Sequence, residues 1–355
     1  MEKIRVAIIG TGSISHCHID GYKELEKEGL VEVVAACDLD EAKLERYCDK
    51  YGIEHRYTDC VKMMEEMHPD CVSVCVWTSN HAKCTIVALK GGAHVICEKP
   101  MAMNAKEAQE MLDTAKECGK MLQIGFVRRF GEDAETIRRL VSDGTFGDIY
   151  YAKATYLRQQ GCPGGWFGDK TFSGGGPLID LGVHVIDLTR YLAGCPKPVS
   201  AFGVTYDNLG PNRAAPEGQV WSIEKGNAEH PYNVEDLCAA MVRFDNGLTL
   251  SVETSFNLNI EGDCGDVELY GTRAGTSLGK MNILAVKDHH FTRFTPEGEH
   301  SFRFREAFRA EIRGFINASC GKEPCRATGE DGLWLMKIID AIYESAKCGR
   351  SVEIR

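Results

Sequence analysis

Glu98-Lys99-Pro100 puts an amine at the end of a short apolar run, His94-Val95-Ile96-Cys97, which reads as a buried strand. Pro100 lacks an amide N–H and stops that strand. In a doubly wound sheet, ligands bind beyond the carboxyl ends of the strands, so Lys99 is expected to project into a ligand cleft as a cation. Asp180, His184 and Asp187 stand at i, i+4 and i+7 and share one face of a predicted helix. Histidine is the usual side chain for moving a proton near neutral pH, and a carboxylate one turn away can orient it or hold a hydroxyl. An amphipathic helix with its polar stripe in water is the plainer reading, and Leu181, Val185, Leu188 and Leu192 do form an apolar stripe. Lys99 elsewhere in the chain is what turns His184 into a candidate base. Pro177 suits the start of that helix, and Gly174-Gly175-Gly176 before it make a flexible or close-approach loop.

Such groups need a scaffold. Gly10-Thr11-Gly12-Ser13-Ile14-Ser15 follows a first strand and opens a helix, the context of a dinucleotide-binding turn. Gly10 allows the tight turn, and Gly12 lets the backbone approach a pyrophosphate, with Ser13 and Ile14 beside it at the helix N-terminus. Ser15 replaces the third glycine of the motif. Asp38 ends the second strand, where a carboxylate accepts ribose hydroxyls and repels a 2′-phosphate. That favours NAD over NADP, and Asp40 is the better candidate to cap the next helix. His16 and His18 flank Cys17, but neighbouring positions on a helix do not converge, so no metal is expected.

Over the first 125 residues, strands at 5–9, 31–37, 71–76, 94–97 and 121–124 alternate with helical patterns at 41–51, 81–90 and 106–118. This alternation predicts an α/β domain, a parallel sheet covered on both faces. Asn104 and Glu107 make a capping pair for the last of those helices. After residue 126 strands follow one another, at 149–157, 199–205, 237–244, 248–256 and 266–270, with Asp245-Asn246-Gly247 as a hairpin turn. Helices are expected at 134–142, 178–192, 306–319 and 331–346. The chain is therefore divided into a Rossmann domain at 1–125 and an α+β domain with a mostly antiparallel open sheet at 126–355. Residues 158–177, with seven glycines plus Trp166 and Phe167, and 206–233, with Trp221 and Tyr232, resist assignment and read as long loops, either functional lids or disordered.

A chain of 355 residues is long enough for two cores. Its net charge of −11 makes nucleic acid and anionic membranes poor partners. No apolar run approaches the roughly 20 residues that cross a bilayer, and the N-terminus enters a strand with no leader pattern, so cytoplasm is the expected compartment. The sixteen cysteines are irregularly spaced with no C-x-x-C pair, and are read as reduced, structural thiols.

Taken together, the G-x-G turn, the E-K-P motif at 98–100, the D-x-G-x-H-x-x-D motif at 180–187 and the closing EDGLWLMKIIDAIYESAKCGRSV resemble the Gfo/Idh/MocA oxidoreductases nearly end to end. The resemblance implies that Lys99, Asp180 and His184 are the catalytic trio. It also implies that the second domain's sheet builds homo-oligomer contacts, in a dimer or tetramer. Members often carry Thr-Pro at the end of the fourth strand, where this chain has Val76-Trp77. Trp77, His81 and Glu98 are expected to line the cofactor there beside Lys99. The implied reaction moves hydride between a secondary hydroxyl of a sugar, glycoside or cyclitol ring and a nicotinamide. His184 takes the hydroxyl proton, Lys99 holds the reacting oxygen, and Asp180 fixes an adjacent hydroxyl. Arg128, Arg129, Lys153, Tyr156, Arg158 and Trp166 are expected to line the substrate, Trp166 with interdomain packing as its alternative. Three other readings stay open: a redox glycosidase that oxidises C3 and then eliminates the aglycone, a keto-sugar reductase, and a silent NAD-binding sugar sensor.

Overall fold

The computed structural model describes residues 3–210, 231–298 and 300–355, which leaves Trp221 outside the described residues. Two compact units make up the chain. In the first, six strands, β1 (Ile4–Ile9), β2 (Val31–Cys37), β3 (His55–Tyr57), β4 (Cys71–Val74), β5 (His94–Glu98) and β6 (Leu122–Gly125), form a sheet in the order β3-β2-β1-β4-β5-β6. Every pair in it is parallel. This is the dinucleotide-binding order, with its switch point between β1 and β4. Helices α1 (Ser15–Lys27), α2 (Glu41–Tyr51), α3 (Cys60–Met67), α4 (Thr78–Lys90) and α5 (Ala105–Glu117) connect the strands. Three of them start on the side chains that physics favours there: Asp40 accepts from Lys43 N, Asp59 from Val61 N and Asn104 from Glu107 N.

The first unit does not end where its sheet ends. It comprises residues up to Phe130 and takes back residues 303–333, which the sequence reading assigned to the second domain. Helix Phe304–Ser319 lies on α1, where Gly21 makes room: a Cβ there would stand 3.0 Å from Ile312. Ile312, Phe315 and Ile316 join Val6, Ile8, Ile19 and Tyr22 in one buried cluster. Each such aliphatic side chain contributes about 2 kcal/mol by leaving water. A helix so distant in sequence carries no local sign of which sheet it will cover.

Among the described residues the second unit holds nine strands in the order β14-β13-β12-β11-β7-β10-β9-β8-β15. They are β7 (Ile149–Leu157), β8 (Pro198–Tyr206), β9 (Leu237–Phe244), β10 (Thr249–Ser255), β11 (Cys264–Gly271), β12 (Ala274–Ser277), β13 (Asn282–Lys287), β14 (His290–Phe294) and β15 (Val352–Glu353). Among the described strands of this sheet, only β7 and β10 run parallel. Gly247 closes the expected β9–β10 hairpin at φ +90°. Alternation along the strands buries Ala152, Ala154, Val242, Leu250 and Val252 on one face, under helix Val183–Leu192. The other face keeps Phe202 and Met241, paired across β8 and β9, at 44% and 50% exposure.

Candidate active site

The turn after β1 is shaped for a dinucleotide. Gly10 has φ +93°, and a Cβ on it would lie 2.5 Å from the carbonyl oxygen of Cys75, at the switch point itself. No other residue fits there. A Cβ on Gly12 would meet only Lys43 Nζ, at 3.5 Å, so that backbone is open to close approach. Ser15, in place of the third glycine, donates from Oγ to Gly12 O at 2.6 Å and tightens the turn. Among the described residues no side chain caps α1, and its first turn carries no acid, so its positive end suits an anion. Asp38 is fixed by a residue the sequence reading passed over: its Oδ2 accepts both the amide and the hydroxyl of Thr11, at 2.7 and 2.8 Å. Its Oδ1 accepts Asp40 N at 3.0 Å, and Lys43 Nζ lies 3.9 Å away. The capping of α2 falls to Asp40, as expected. Uncapped helix end, glycine cradle and fixed carboxylate together fit a dinucleotide cofactor.

At the ends of β4 and β5 the expected cofactor residues part company. Trp77, at the head of α4, is 36% exposed, and Lys99 is half-buried. His81 is turned inward instead. Its ring nitrogens lie 2.6 Å from Pro100 O and 2.9 Å from Val76 O, tying the lysine turn to the end of β4. Burial holds the His81 pKa below its usual value, outweighing the two carbonyls that favour the charged ring. Glu98 is also buried, with Oε1 2.9 Å from His18 Nε2 and Oε2 accepting the Lys99 amide at 3.1 Å. His16 and His18 do diverge: His16 meets Tyr51 OH at 2.7 Å.

Nearby, Glu311 is fully buried and neither carboxyl oxygen has a hydrogen-bond partner among the described residues. Burial pushes its pKa well above 4.5, and the charge of Glu98 adds to the rise. Folding therefore draws a proton onto Glu311 above its unfolded pKa, so stability falls as pH rises from about 4.5 towards the folded value. Glu311→Met is expected to be more stable than the parent at pH 7, with Tm rising about 2–4 °C for each kcal/mol recovered. Melting curves should show the gain shrinking towards pH 4.5, and a variant less stable at both pH values would contradict this reading.

In the second unit, the predicted helix at 178–192 begins as a wide π-helical turn, Leu178–Gly182, and continues as helix Val183–Leu192. Such turns recur at functional sites. Asp180 lies in the wide turn at 8% exposure, His184 is half-buried in the first α-turn, and Asp187 is buried. What holds this segment is Glu235, again missed in the sequence. Its carboxylate accepts Gly176 N at 2.9 Å, Leu178 N at 3.2 Å and Tyr343 OH at 2.8 Å. The glycines are needed for close approach: a Cβ on Gly176 would lie 2.3 Å from Glu235 O, and one on Gly175 2.1 Å from Tyr343 OH. Burial raises the Glu235 pKa against the pull of its three donors.

Beside Leu181 and Phe256 pack Tyr156, Cys162 and Tyr232. Burial pushes the Cys162 thiol up to about 11 and Asp180 adds to the rise, while a hydrogen bond with the Gly164 backbone and then the charge of Arg158 oppose it. Arg158 stands over the Tyr156 ring at 5.3 Å and donates to Gly161 O at 2.6 Å. Buried Asp236 gathers the flanks of the second long loop, accepting Leu209 N at 2.6 Å, Gly210 N at 3.1 Å and Tyr232 OH at 2.7 Å. The glycine-rich loop is ordered into the turns Gly165–Gly168 and Lys170–Ser173, and Trp166 stacks on Phe167 with centroids 4.0 Å apart.

Two expected substrate residues lie elsewhere. Lys153 alternates with the buried Ala152 and Ala154, so it projects from the sheet face opposite to Tyr156 and the Asp180 helix. Arg129 is wholly buried in the first unit, donating to Arg326 O at 2.7 Å and Asp331 at 2.8 Å, which makes it a packing residue. Arg128, next to it in the turn Val127–Phe130, is half-buried.

Comparison with known proteins matches residues 4–126 to the model of an oxidoreductase family with an NAD-binding Rossmann fold, and residues 134–277 to the GFO/IDH/MocA C-terminal domain. The chain is 34% identical to D-glucoside 3-dehydrogenase of Escherichia coli K12 over 99% of its own length and 97% of that protein's. It is 27% identical to levoglucosan dehydrogenase of Pseudarthrobacter phenanthrenivorans, over 98% and 87%. Among solved structures, levoglucosan dehydrogenase in complex with NADH superposes with a TM-score of 0.85 over all of both chains at 22% identity, a likeness of fold.

Proposed function

The chain belongs to the Gfo/Idh/MocA oxidoreductases, NAD-binding enzymes, and from that premise we propose that it oxidises a ring secondary hydroxyl of a glycoside or related sugar. NAD is the cofactor of this reading because Asp38, fixed by Thr11, offers a carboxylate where NADP would bring a phosphate. When bound, the nicotinamide supplies the hydride acceptor. The chain's own residues do the rest. His184 takes the hydroxyl proton, and Lys99 stabilises the negative charge that grows on the oxygen. Asp180 accepts a neighbouring hydroxyl and so turns the ring. Tyr156, Arg158 and the stacked face of Trp166 suit a polyhydroxylated ring.

The observation that carries the reading is Lys99 at the carboxyl end of β5, in a sheet whose first turn is the Gly10 cradle. The test is incubation with NAD and a panel of glycosides, free sugars and cyclitols. A product two hydrogens lighter, with one NADH formed per product, is expected. Aglycone release without net NADH would transfer the assignment to the redox glycosidase.

We further propose that the chain works as a homo-oligomer, joined to a second copy through the open sheet face bearing Phe202, Tyr206 and Met241. Light scattering should give at least twice the chain mass of 39.3 kDa, and Phe202→Asp with Met241→Asp should lower it. A parent protein that is monomeric at micromolar concentration would contradict this.

A further inference from the structure

His18 is the one wholly buried histidine of α1, and its two nitrogens serve a continuous line of polar groups. Tyr22 OH lies 2.7 Å from Ser73 Oγ, and that oxygen lies 3.0 Å from His18 Nδ1. On the other side, Nε2 lies 2.9 Å from Glu98 Oε1, and Glu98 Oε2 accepts the Lys99 amide at 3.1 Å. One placement of hydrogens satisfies every member. Tyr22 donates to Ser73, Ser73 donates to Nδ1, Nε2–H donates to Oε1, and Lys99 N–H donates to Oε2. A neutral imidazole suffices.

This line ends on the backbone of Lys99, not on solvent. Glu98 is held closely: a Cβ on Gly125 would come within 3.2 Å of its carboxyl. The His18 ring is itself flanked by Phe308, at a centroid distance of 5.8 Å. Buried polar chains rigidify what they touch only when every member is satisfied, and this one is. Pro100, next in sequence, contributes no amide to steady the turn.

We propose that His18 is a positioning residue for Lys99, acting through the Glu98 carboxylate that anchors the lysine amide. The inference rests on the assignment of Lys99 to catalysis above. Without the Nε2–H donor, Glu98 is free to rotate and the lysine turn loses one of its fixed points.

Glutamine can set an amide N–H where His18 Nε2 stands, whereas asparagine reaches only the Nδ1 position and leucine neither. His18→Leu and His18→Asn should lower kcat by about tenfold or more, as small misplacements do, with Kd for NAD and KM for the glycoside within about twofold. His18→Gln should restore most of kcat. A second readout needs no turnover: reductive methylation with 13C-formaldehyde, with the Lys99 signal identified through Lys99→Arg. That NMR signal should shift or broaden in His18→Leu and return in His18→Gln. Ser73→Ala, a milder change at the far end of the line, should move both readouts in the same direction. Equal losses in the Gln and Leu variants, or a Lys99 signal identical in all of them, would overturn the proposal. If the signal responds but no sugar is oxidised even by the parent protein, the positioning role stands and the proposed function falls.

Discussion

Lys99→Ala is expected to lower kcat on the best glycoside about 1000-fold, the size of effect seen when a single stabiliser of a developing oxyanion is removed. The argument is electrostatic. A secondary hydroxyl that loses its hydrogen as hydride passes through alkoxide character, and an ammonium beside that oxygen acts more strongly in the transition state than on the neutral substrate. The loss should therefore fall on kcat, with KM and NAD affinity changed by less than about threefold. Lys99→Arg should not rescue it, because the planar guanidinium cannot occupy the place of a compact point charge. Steady-state kinetics with NAD binding measured separately decides the matter. Unchanged kcat in the alanine variant would remove Lys99 from the reaction.

Gly10→Ala is expected to weaken NAD binding about 100-fold or more while leaving the second unit folded. The added Cβ would stand 2.5 Å from Cys75 O, a backbone atom that cannot swing aside, and the residue has φ +93°, where side chains are strained. Strain of that kind costs about 1–3 kcal/mol, and overpacking a tight site costs about 1–3 kcal/mol more. Moving the turn to relieve both misplaces the pyrophosphate cradle, so Kd should rise by about 100-fold or more at 1.4 kcal/mol per tenfold. Calorimetric titration with NAD measures this directly. An alanine variant with parental affinity would show that the turn does not hold the cofactor.

The parts of this molecule that were legible in the sequence are those with short-range causes. Strand and helix alternation announced the parallel sheet, Asp245-Asn246-Gly247 announced the β9–β10 hairpin, and Gly10-x-Gly12 announced the turn after β1. What escaped depends on partners far away in the chain. Glu235 looks like one more acid in a polar stretch until folding brings it to Gly176 and to Tyr343, 108 positions later. Helix Phe304–Ser319 has an amphipathic pattern that any apolar surface would satisfy, and nothing local assigns it to α1. The strands β12 to β14 are short, β12 is built of Ala, Gly, Thr and Ser, and β14 is exposed throughout, so they leave little periodic signal. Lys153 differs from these: strand alternation alone sets it on the sheet face opposite Tyr156. The wide turn at Leu178–Gly182 has no sequence signature at all, since Pro177 and the apolar stripe read as ordinary helix.

The central claim is that hydride leaves a ring carbon of a sugar for the nicotinamide. A methyl glucoside carrying deuterium at C2, C3 and C4 tests it most directly, with the nicotinamide product examined by mass spectrometry. The account predicts NADH one mass unit heavy, in equal amount to a keto product that has lost one deuterium. Unlabelled NADH, or neither a keto product nor any deuterium on the nicotinamide, would contradict it.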